Sequence, residues 1–312
     1  VASSGGSPAL RKPRAIAPGA TLGIAAPGGP VNPDRLAEGR ERLRAAGYGT
    51  LCLDDVTARR GYLAGEDVRR AKELMELAQD PRVDAIVCAR GGYGCDRILH
   101  LLDAPALRAA AKPIVGYSDV TALLLWLRRR AGLVGFHGPM LERGADADPA
   151  AQEALLAHLA GRSPLPLVLC GRGLVGGAAR GRLVGGSLTL VAASLGTPWE
   201  LQARGAILLL EEVNEAPYRV DRMLQQLRAA GKLAGLAGVG IGDVSTCVDE
   251  RYETGVLDVI EEVVRPLGVP LVVELPFGHL RSNATWPVGV RAELDGERGE
   301  LRVLEHGVQG PR

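Results

Sequence analysis

Three residues of this 312-residue chain have the types needed for nucleophilic acyl transfer, and each sits where an apolar strand runs out. Ser118 follows Pro113-Ile114-Val115-Gly116-Tyr117 and precedes residues 119–130, which read as a helix. A serine at a strand-to-helix turn has its hydroxyl in the open. The N–H groups at the start of the helix carry partial positive charge. Exposure, and donors aimed at a developing oxyanion, are what an acyl-transfer nucleophile needs. The pattern is not Gly-x-Ser-x-Gly, because Val120 stands where the second glycine would be. Taken alone, Ser118 reads equally as a helix N-cap, a position that serine favours. Glu211 follows Ile207-Leu208-Leu209-Leu210, and His279 follows Leu271-Val272-Val273-Glu274-Leu275 and a short turn. A carboxylate directly after four apolar strand residues is costly unless it has a partner. The bland readings are an acid at a solvated strand end and a satisfied structural histidine. In the order Ser, Glu, His the three satisfy the logic of a triad. His279 would take the proton from Ser118, and Glu211 would fix its tautomer and stabilise the imidazolium.

The elements that must position these residues follow from the apolar pattern. Residues 21–26 form a buried strand ending in Pro27-Gly28-Gly29-Pro30. Asn32-Pro33 then supplies an N-cap and a first-turn proline for a helix that Gly47 stops. Strands are expected over 48–53, 83–89, 113–117 and 133–136, with helices over 66–79, 95–102, 105–111 and 149–159. Such alternation predicts an α/β fold whose first part is a doubly wound, Rossmann-like parallel sheet. Sites in these sheets form beyond the C-terminal ends of the strands. Three loops qualify: 27–30, 90–94 and 116–119. The Gly- and Pro-rich stretch 162–181 reads as an interdomain linker. The second half shows a helical run from 187 to 195, strands over 206–210, 239–244 and 270–275, and helices over 218–230 and 257–264. It ends in a hairpin, 289–304, turning at 295–299. The expected organisation is therefore an N-terminal domain over 17–161, the linker 162–181, and a mixed α/β domain over 182–306. Ser118 lies in one domain and Glu211 and His279 in the other, so the site falls at their interface.

Composition narrows the function classes. A 46% hydrophobic content is enough for two cores. The 37 basic and 36 acidic residues leave a net charge of +1, and no basic stripe with interleaved aromatics points to nucleic acid. No apolar run approaches membrane-span length. Residues 1–20 lack the apolar stretch of a signal peptide and read as a loose leader. Cys52, Cys88, Cys95, Cys170 and Cys247 are odd in number and widely spaced, as structural thiols of a reducing cytoplasm would be. His100, His137, His158, His279 and His306 are scattered and form no His-Glu-x-x-His, so no metal site is expected. Arg90-Gly91-Gly92-Tyr93-Gly94 lacks both Gly-x-Gly-x-x-Gly spacing and the Lys-Ser/Thr of a phosphate-binding loop.

Six stretches together resemble the bacterial LD-carboxypeptidase family of serine peptidases. They are Ala89 to Gly94, Gly116 to Leu123, Phe136-His137-Gly138-Pro139-Met140, Leu210 to Glu215, Pro217 to Leu224, and Pro276-Phe277-Gly278-His279. The resemblance implies Ser118 as nucleophile, Glu211 as acid and His279 as base. It also implies an oxyanion hole from the backbone N–H groups of Asp119 and of the Gly91-Gly92 turn, where Gly92 is the favoured donor. Glycine suits that turn because the backbone must come close to the substrate carbonyl. Gly91, Arg90 and Arg219 are candidate substrate-binding residues, the arginines through charge-assisted bonds to carboxylates. His137 is expected to make a structural hydrogen bond, and Trp199, Tyr218 and Trp286 to wall a pocket or fill a core. The implied protein is a cofactor-independent cytoplasmic homodimer of peptidoglycan recycling. It would act on a small peptide or muropeptide, releasing the terminal D-Ala of L-Ala-D-Glu-meso-diaminopimelate-D-Ala. The alternative on the same scaffold is a microcin-C-type self-immunity peptidase that cleaves an acyl sulfamoyl-adenylate. A non-catalytic binding protein of this fold is the third reading.

Overall fold

The computed structural model describes residues 8–142, 148–251 and 253–310. The first half runs β1 (Thr21–Ala25), α1 (Pro33–Ala45), β2 (Gly49–Leu51), α2 (Asp67–Gln79), β3 (Ala85–Cys88), α3 (Cys95–Ile98) and α4 (Ala104–Ala110). It continues with β4 (Ile114–Gly116), α5 (Thr121–Trp126), β5 (Phe136–His137) and α6 (Pro149–Leu159). The second half runs β6 (Leu167–Cys170), β7 (Arg172–Val175), β8 (Ala178–Ser187), α7 (Leu188–Ala193), β9 (Ala206–Glu211) and α8 (Pro217–Ala229). After these come β10 (Gly238–Ile241), α9 (Val256–Val264), β11 (Leu271–Val273), β12 (Trp286–Pro287), β13 (Arg291–Asp295) and β14 (Glu300–Val303).

Strands β1 to β5 are parallel, in the order β2-β1-β3-β4-β5, and β12 pairs antiparallel with β5 at the edge. This is a doubly wound order in which the winding reverses between β1 and β3, and the crevice beyond that point is where ligands bind. Local chemistry starts the helices as expected: the Asn32 side chain accepts from the N–H groups of Asp34 and Arg35. The second sheet has the order β6-β14-β13-β8-β9-β10-β11-β7. Its centre, β8 to β11, is parallel, and its flanks are antiparallel. All six residues of β9 are buried, as a central strand covered on both faces requires. One apolar core joins the two sheets, with Leu22, Ile24 and Ile86 of the first in the same cluster as Ile207, Leu209 and Val272 of the second.

Three segments differ from expectation. The stretch 162–181 carries β6, β7 and the start of β8, all within the second sheet. Its glycines serve close backbone packing: a Cβ on Gly173 would overlap the carbonyl oxygen of Gly296, and one on Gly171 that of Val273. Residues 8–20 of the expected loose leader are packed. Arg11 bridges Leu133, Arg14 bridges Gln309, and Ile16 is buried with its N–H on the Leu159 carbonyl. Residues 1–7 lie outside the described part. The helix expected over 119–130 is a tight 3₁₀ turn (Ser118–Val120), then α5, then a wide turn (Leu127–Ala131) that Gly132 closes. The five cysteines are all free. Among the described residues no helix is long and apolar enough to cross a membrane.

Because Gly173 lies against a neighbouring backbone, Gly173→Ala is expected to destabilise the fold by about 1–3 kcal/mol, the usual range for overpacking. The urea midpoint should fall with an unchanged m-value. An unshifted midpoint would mean that this crossing adjusts freely.

Candidate active site

Ser118 stands directly after β4 with φ at +60°, in the left-handed region that non-glycine residues seldom occupy. Such strain, on the order of 1–3 kcal/mol, persists where surrounding structure over-determines it. Here Tyr117 before it and Asp119 and Val120 after it are all buried. Gly91, on the loop after β3, faces the serine. A Cβ there would lie 3.0 Å from Ser118 Cβ and 3.1 Å from its Oγ, crowding the hydroxyl. Gly92 stands against Gly29 on the loop after β1, and Gly29 N–H donates to the Gly91 carbonyl at 2.8 Å. The three loops picked out in the sequence therefore meet.

Glu211 ends β9 and is fully buried. Its Oε2 is 2.7 Å from Nδ1 of His279, whose side chain is 23% exposed. A carboxylate brings no hydrogen to that bond, so Nδ1 is the donor, and in the neutral ring Nε2 is the acceptor. The turn that presents His279 needs glycine. Gly278 has φ at +110°, and a Cβ on it would lie 2.9 Å from Glu211 Cβ. The Gly278 N–H is held by the fully buried Asn283 side chain at 2.9 Å. The His279 ring packs edge-on against Tyr117, the residue before Ser118, with centroids 4.9 Å apart. Among the described residues no hydrogen bond joins Ser118 Oγ to His279. Free enzymes often leave that bond long until substrate arrives.

A further contact ties the two halves. Thr121, on the first turn of α5, accepts from Ser187 N–H through Oγ1 at 3.1 Å, and Ser187 is the cross-strand partner of Glu211. The serine turn and the buried carboxylate are thereby held together through one side chain. Thr121 and Asn283 went unnoticed in the sequence as site residues; their only local signal is proximity to Ser118 and His279.

Comparison with known proteins bears on this geometry. The LD-carboxypeptidase N-terminal domain family matches residues 22–138, and the LD-carboxypeptidase C-terminal domain family matches residues 180–294. A putative carboxypeptidase of Streptomyces coelicolor is 43% identical, with 94% of this chain and 96% of that protein covered. The murein tetrapeptide carboxypeptidase of Pseudomonas aeruginosa is 34% identical, covering 89% of this chain and 94% of the relative. The chain belongs to the LD-carboxypeptidase family. The crystal structure of muramoyltetrapeptide carboxypeptidase from Oxalobacter formigenes superposes on this LD-carboxypeptidase family member with a TM-score of 0.84 at 31% identity, covering 94% of this chain and all of that one. The fold, at 22% identity, is also that of a microcin C7 self-immunity protein solved with glutamyl sulfamoyl guanosine (TM-score 0.85; 96% and 99% covered). The chain is thus a serine-type carboxypeptidase by family.

The remaining candidates of this family member are placed as follows. Arg90 donates to the Pro30 carbonyl at 3.1 Å and lies over the loop glycines, its Nε 3.9 Å from where a Gly92 Cβ would be. Arg219, at the start of α8, pairs with Glu215 at 3.3 Å and packs by Tyr218. Tyr218 is exposed, Trp286 fully buried, and Trp199 packed against the core. Glu212 turns away from His279: it accepts from Thr189 N–H at 2.7 Å, at the start of α7, and from its neighbour Val213. His137 makes no hydrogen bond among the described residues. Its ring stacks on Trp286 at 4.9 Å and meets Phe277 edge-on, so its role is apolar packing.

Burial pulls the pKa of His137 down from 6.5 to about 3, so it is neutral in the fold. Between those values the native state binds fewer protons than the unfolded chain. The contribution of His137 to stability is therefore complete above pH 6.5 and declines as pH falls toward 3, by up to about 1.4 kcal/mol per pH unit. His137→Phe keeps a ring on Trp286 and should flatten this acid limb in urea midpoints taken from pH 7 to 4. An equally steep decline in the variant would show that other groups set it.

Proposed function

We propose that the protein is a serine LD-carboxypeptidase that releases the terminal D-Ala of the murein tetrapeptide L-Ala-D-Glu-meso-diaminopimelate-D-Ala. The observation that carries this reading is the bond from fully buried Glu211 to His279 Nδ1, with the same imidazole resting on the residue before Ser118. Ser118 Oγ attacks the carbonyl of diaminopimelate as His279 Nε2 takes its proton, and Glu211 stabilises the imidazolium. The N–H groups of Asp119 and Gly92 receive the oxyanion. Gly92 is supported by peptide geometry. The Gly91 carbonyl is committed to Gly29, and in a trans peptide the N–H of Gly92 points the opposite way. The tetrahedral intermediate collapses, D-Ala leaves with the proton from His279, and water then cleaves the acyl-enzyme with His279 as base. Of the two arginines, Arg90 is the better placed for a substrate carboxylate, since it overlies the same turn.

Substrate class is supported by the named relatives and by a cavity of about 670 Å³ beside Leu280, the residue after His279. Asp243, Glu250 and Glu253 lie on its wall. These carboxylates offer acceptors to the side-chain ammonium of diaminopimelate. The same reading makes the enzyme a cytoplasmic homodimer of peptidoglycan recycling, on the strength of the family likeness.

Ser118→Ala should fold normally and lose turnover by several powers of ten, and Glu211→Gln by roughly 10³–10⁴-fold. Glu212→Gln should stay within about tenfold of wild type, since Glu212 caps a helix. The reverse order of the two glutamates would move the acid by one residue.

The substrate is tested by mass analysis of products from purified muropeptides. A site that measures one residue from a terminal carboxylate leaves its donors unpaired when the chain is longer. D-Ala should appear from free or disaccharide-linked tetrapeptide, none from pentapeptide, and EDTA should not change the rate. Hydrolysis of a sulfamoyl-adenylate conjugate alongside an inert tetrapeptide would replace this reading with the immunity peptidase.

A further inference from the structure

We propose that Arg70 and the side chain of Asp119 are positioning residues that hold the oxyanion turn preorganised. The inference rests on the reading that Asp119 and Gly92 supply the oxyanion donors. Arg70 lies in α2, an amphipathic helix whose polar positions would ordinarily be solvated, yet its side chain is fully buried. One of its nitrogens donates to two carbonyls, of Pro27 after β1 and of Gly94 after β3, the latter at 2.7 Å. Its other terminal nitrogen pairs with Asp67. One helical turn on, Glu73 is buried as well and accepts from Ala26 N–H at 2.7 Å. The buried charges of α2 are therefore spent on the loop ends at the catalytic edge of the sheet.

Asp119 completes the arrangement from the other side. Its carboxylate is 2% exposed and accepts from Cys95 N–H at 2.9 Å and from Gly94 N–H. The Gly94 residue is thus gripped twice, its carbonyl by a guanidinium and its N–H by a carboxylate. The loops after β1, β3 and β4 become one hydrogen-bonded unit, closed by the bond from Gly29 to Gly91. Both terminal nitrogens of Arg70 are bonded and only its Nε lacks a partner among the described residues, so three loops are tied into one buried network, and rigid donors stabilise an oxyanion without reorganising as charge develops. Charge matters too. The Asp119 carboxylate belongs to the residue whose N–H faces the oxyanion and would oppose it, and the guanidinium of Arg70, shared with Asp67, offsets part of that field.

The test compares Arg70→Lys, Arg70→Met, Asp119→Asn and the double variant Arg70→Met/Asp119→Asn. Turnover is expressed per serine labelled by a fluorophosphonate, alongside the labelling rate and the thermal midpoint. Arg70→Met should lose roughly 10²-fold in kcat, the scale of a misplaced oxyanion donor, with KM within about threefold. Arg70→Lys should recover part of that loss, because it keeps the charge without the fork that spans two carbonyls. The double variant should exceed Arg70→Met in kcat, because the unopposed carboxylate is gone. Labelling rates should follow kcat. If Arg70→Met does not fold, Asp119→Asn and Arg70→Lys carry the comparison, with expected losses of roughly tenfold each. Wild-type kcat per labelled site in the folded variants, with only the midpoint lowered, overturns the positioning role. Full turnover of Ser118→Ala overturns the triad reading beneath it, and that result is read independently of Arg70.

Discussion

Helix α5 is buried on every side, with Leu123 and Leu124 in the core that joins the two sheets and Leu125 in a second cluster of the C-terminal half. It cannot shift without opening both cores, and emptying one leucine site in such packing costs about 3–5 kcal/mol. Ser118 sits three residues before its first residue, Thr121, so the position of the serine is inherited from this packing. The one hydroxyl on the helix, Thr121, is matched by the N–H beside the Glu211 strand position. A serine on one sheet and an acid on the other are thereby held as if they belonged to one element. This is how residues far apart in the chain can be preorganised without a rigid connection of their own.

Among the described residues, the most deeply buried charges gather at the same edge. The fully or nearly fully buried ionisable groups Arg70, Glu73, Asp119 and Glu211 all act on residues just beyond the C-terminal ends of strands. Buried charges are costly, and each survives only with partners. The strand interiors below them are apolar. A consistent core with local violations gathered at one end is the pattern expected where function has overridden stability. Glu211 shows the tension most clearly, since one of its oxygens holds His279 and the other has no partner among the described residues.

The two halves of the fold are also less separate than their chain order suggests. Strand β12, from the second half, forms the edge of the first sheet, and its Trp286 stacks on His137 of β5. The segment between the halves is itself sheet. A site between such halves is set by shared packing and depends little on hinge motion.

The sequence by itself determined what neighbours in the chain decide. Apolar runs marked the strands and Asn32-Pro33 the start of α1, Asp295 to Gly299 marked the hairpin turn, and the ends of β4, β9 and β11 singled out Ser118, Glu211 and His279. Family likeness then ordered those residues into roles. Tertiary structure alone decided what distant residues require of one another. Glycine in a loop and glycine beneath a crossing backbone look the same in a sequence, so 162–181 has the composition of a linker although Gly173 lies against the Gly296 backbone. Arg70 carries no local signal of its role, because its acceptors, Pro27 and Gly94, are 43 and 24 residues away. Family likeness named Glu211 over Glu212, and the physical reason lies in the strand's place between β8 and β10: a pleated strand sends adjacent side chains to opposite faces, so Glu211 meets His279 while Glu212 meets Thr189.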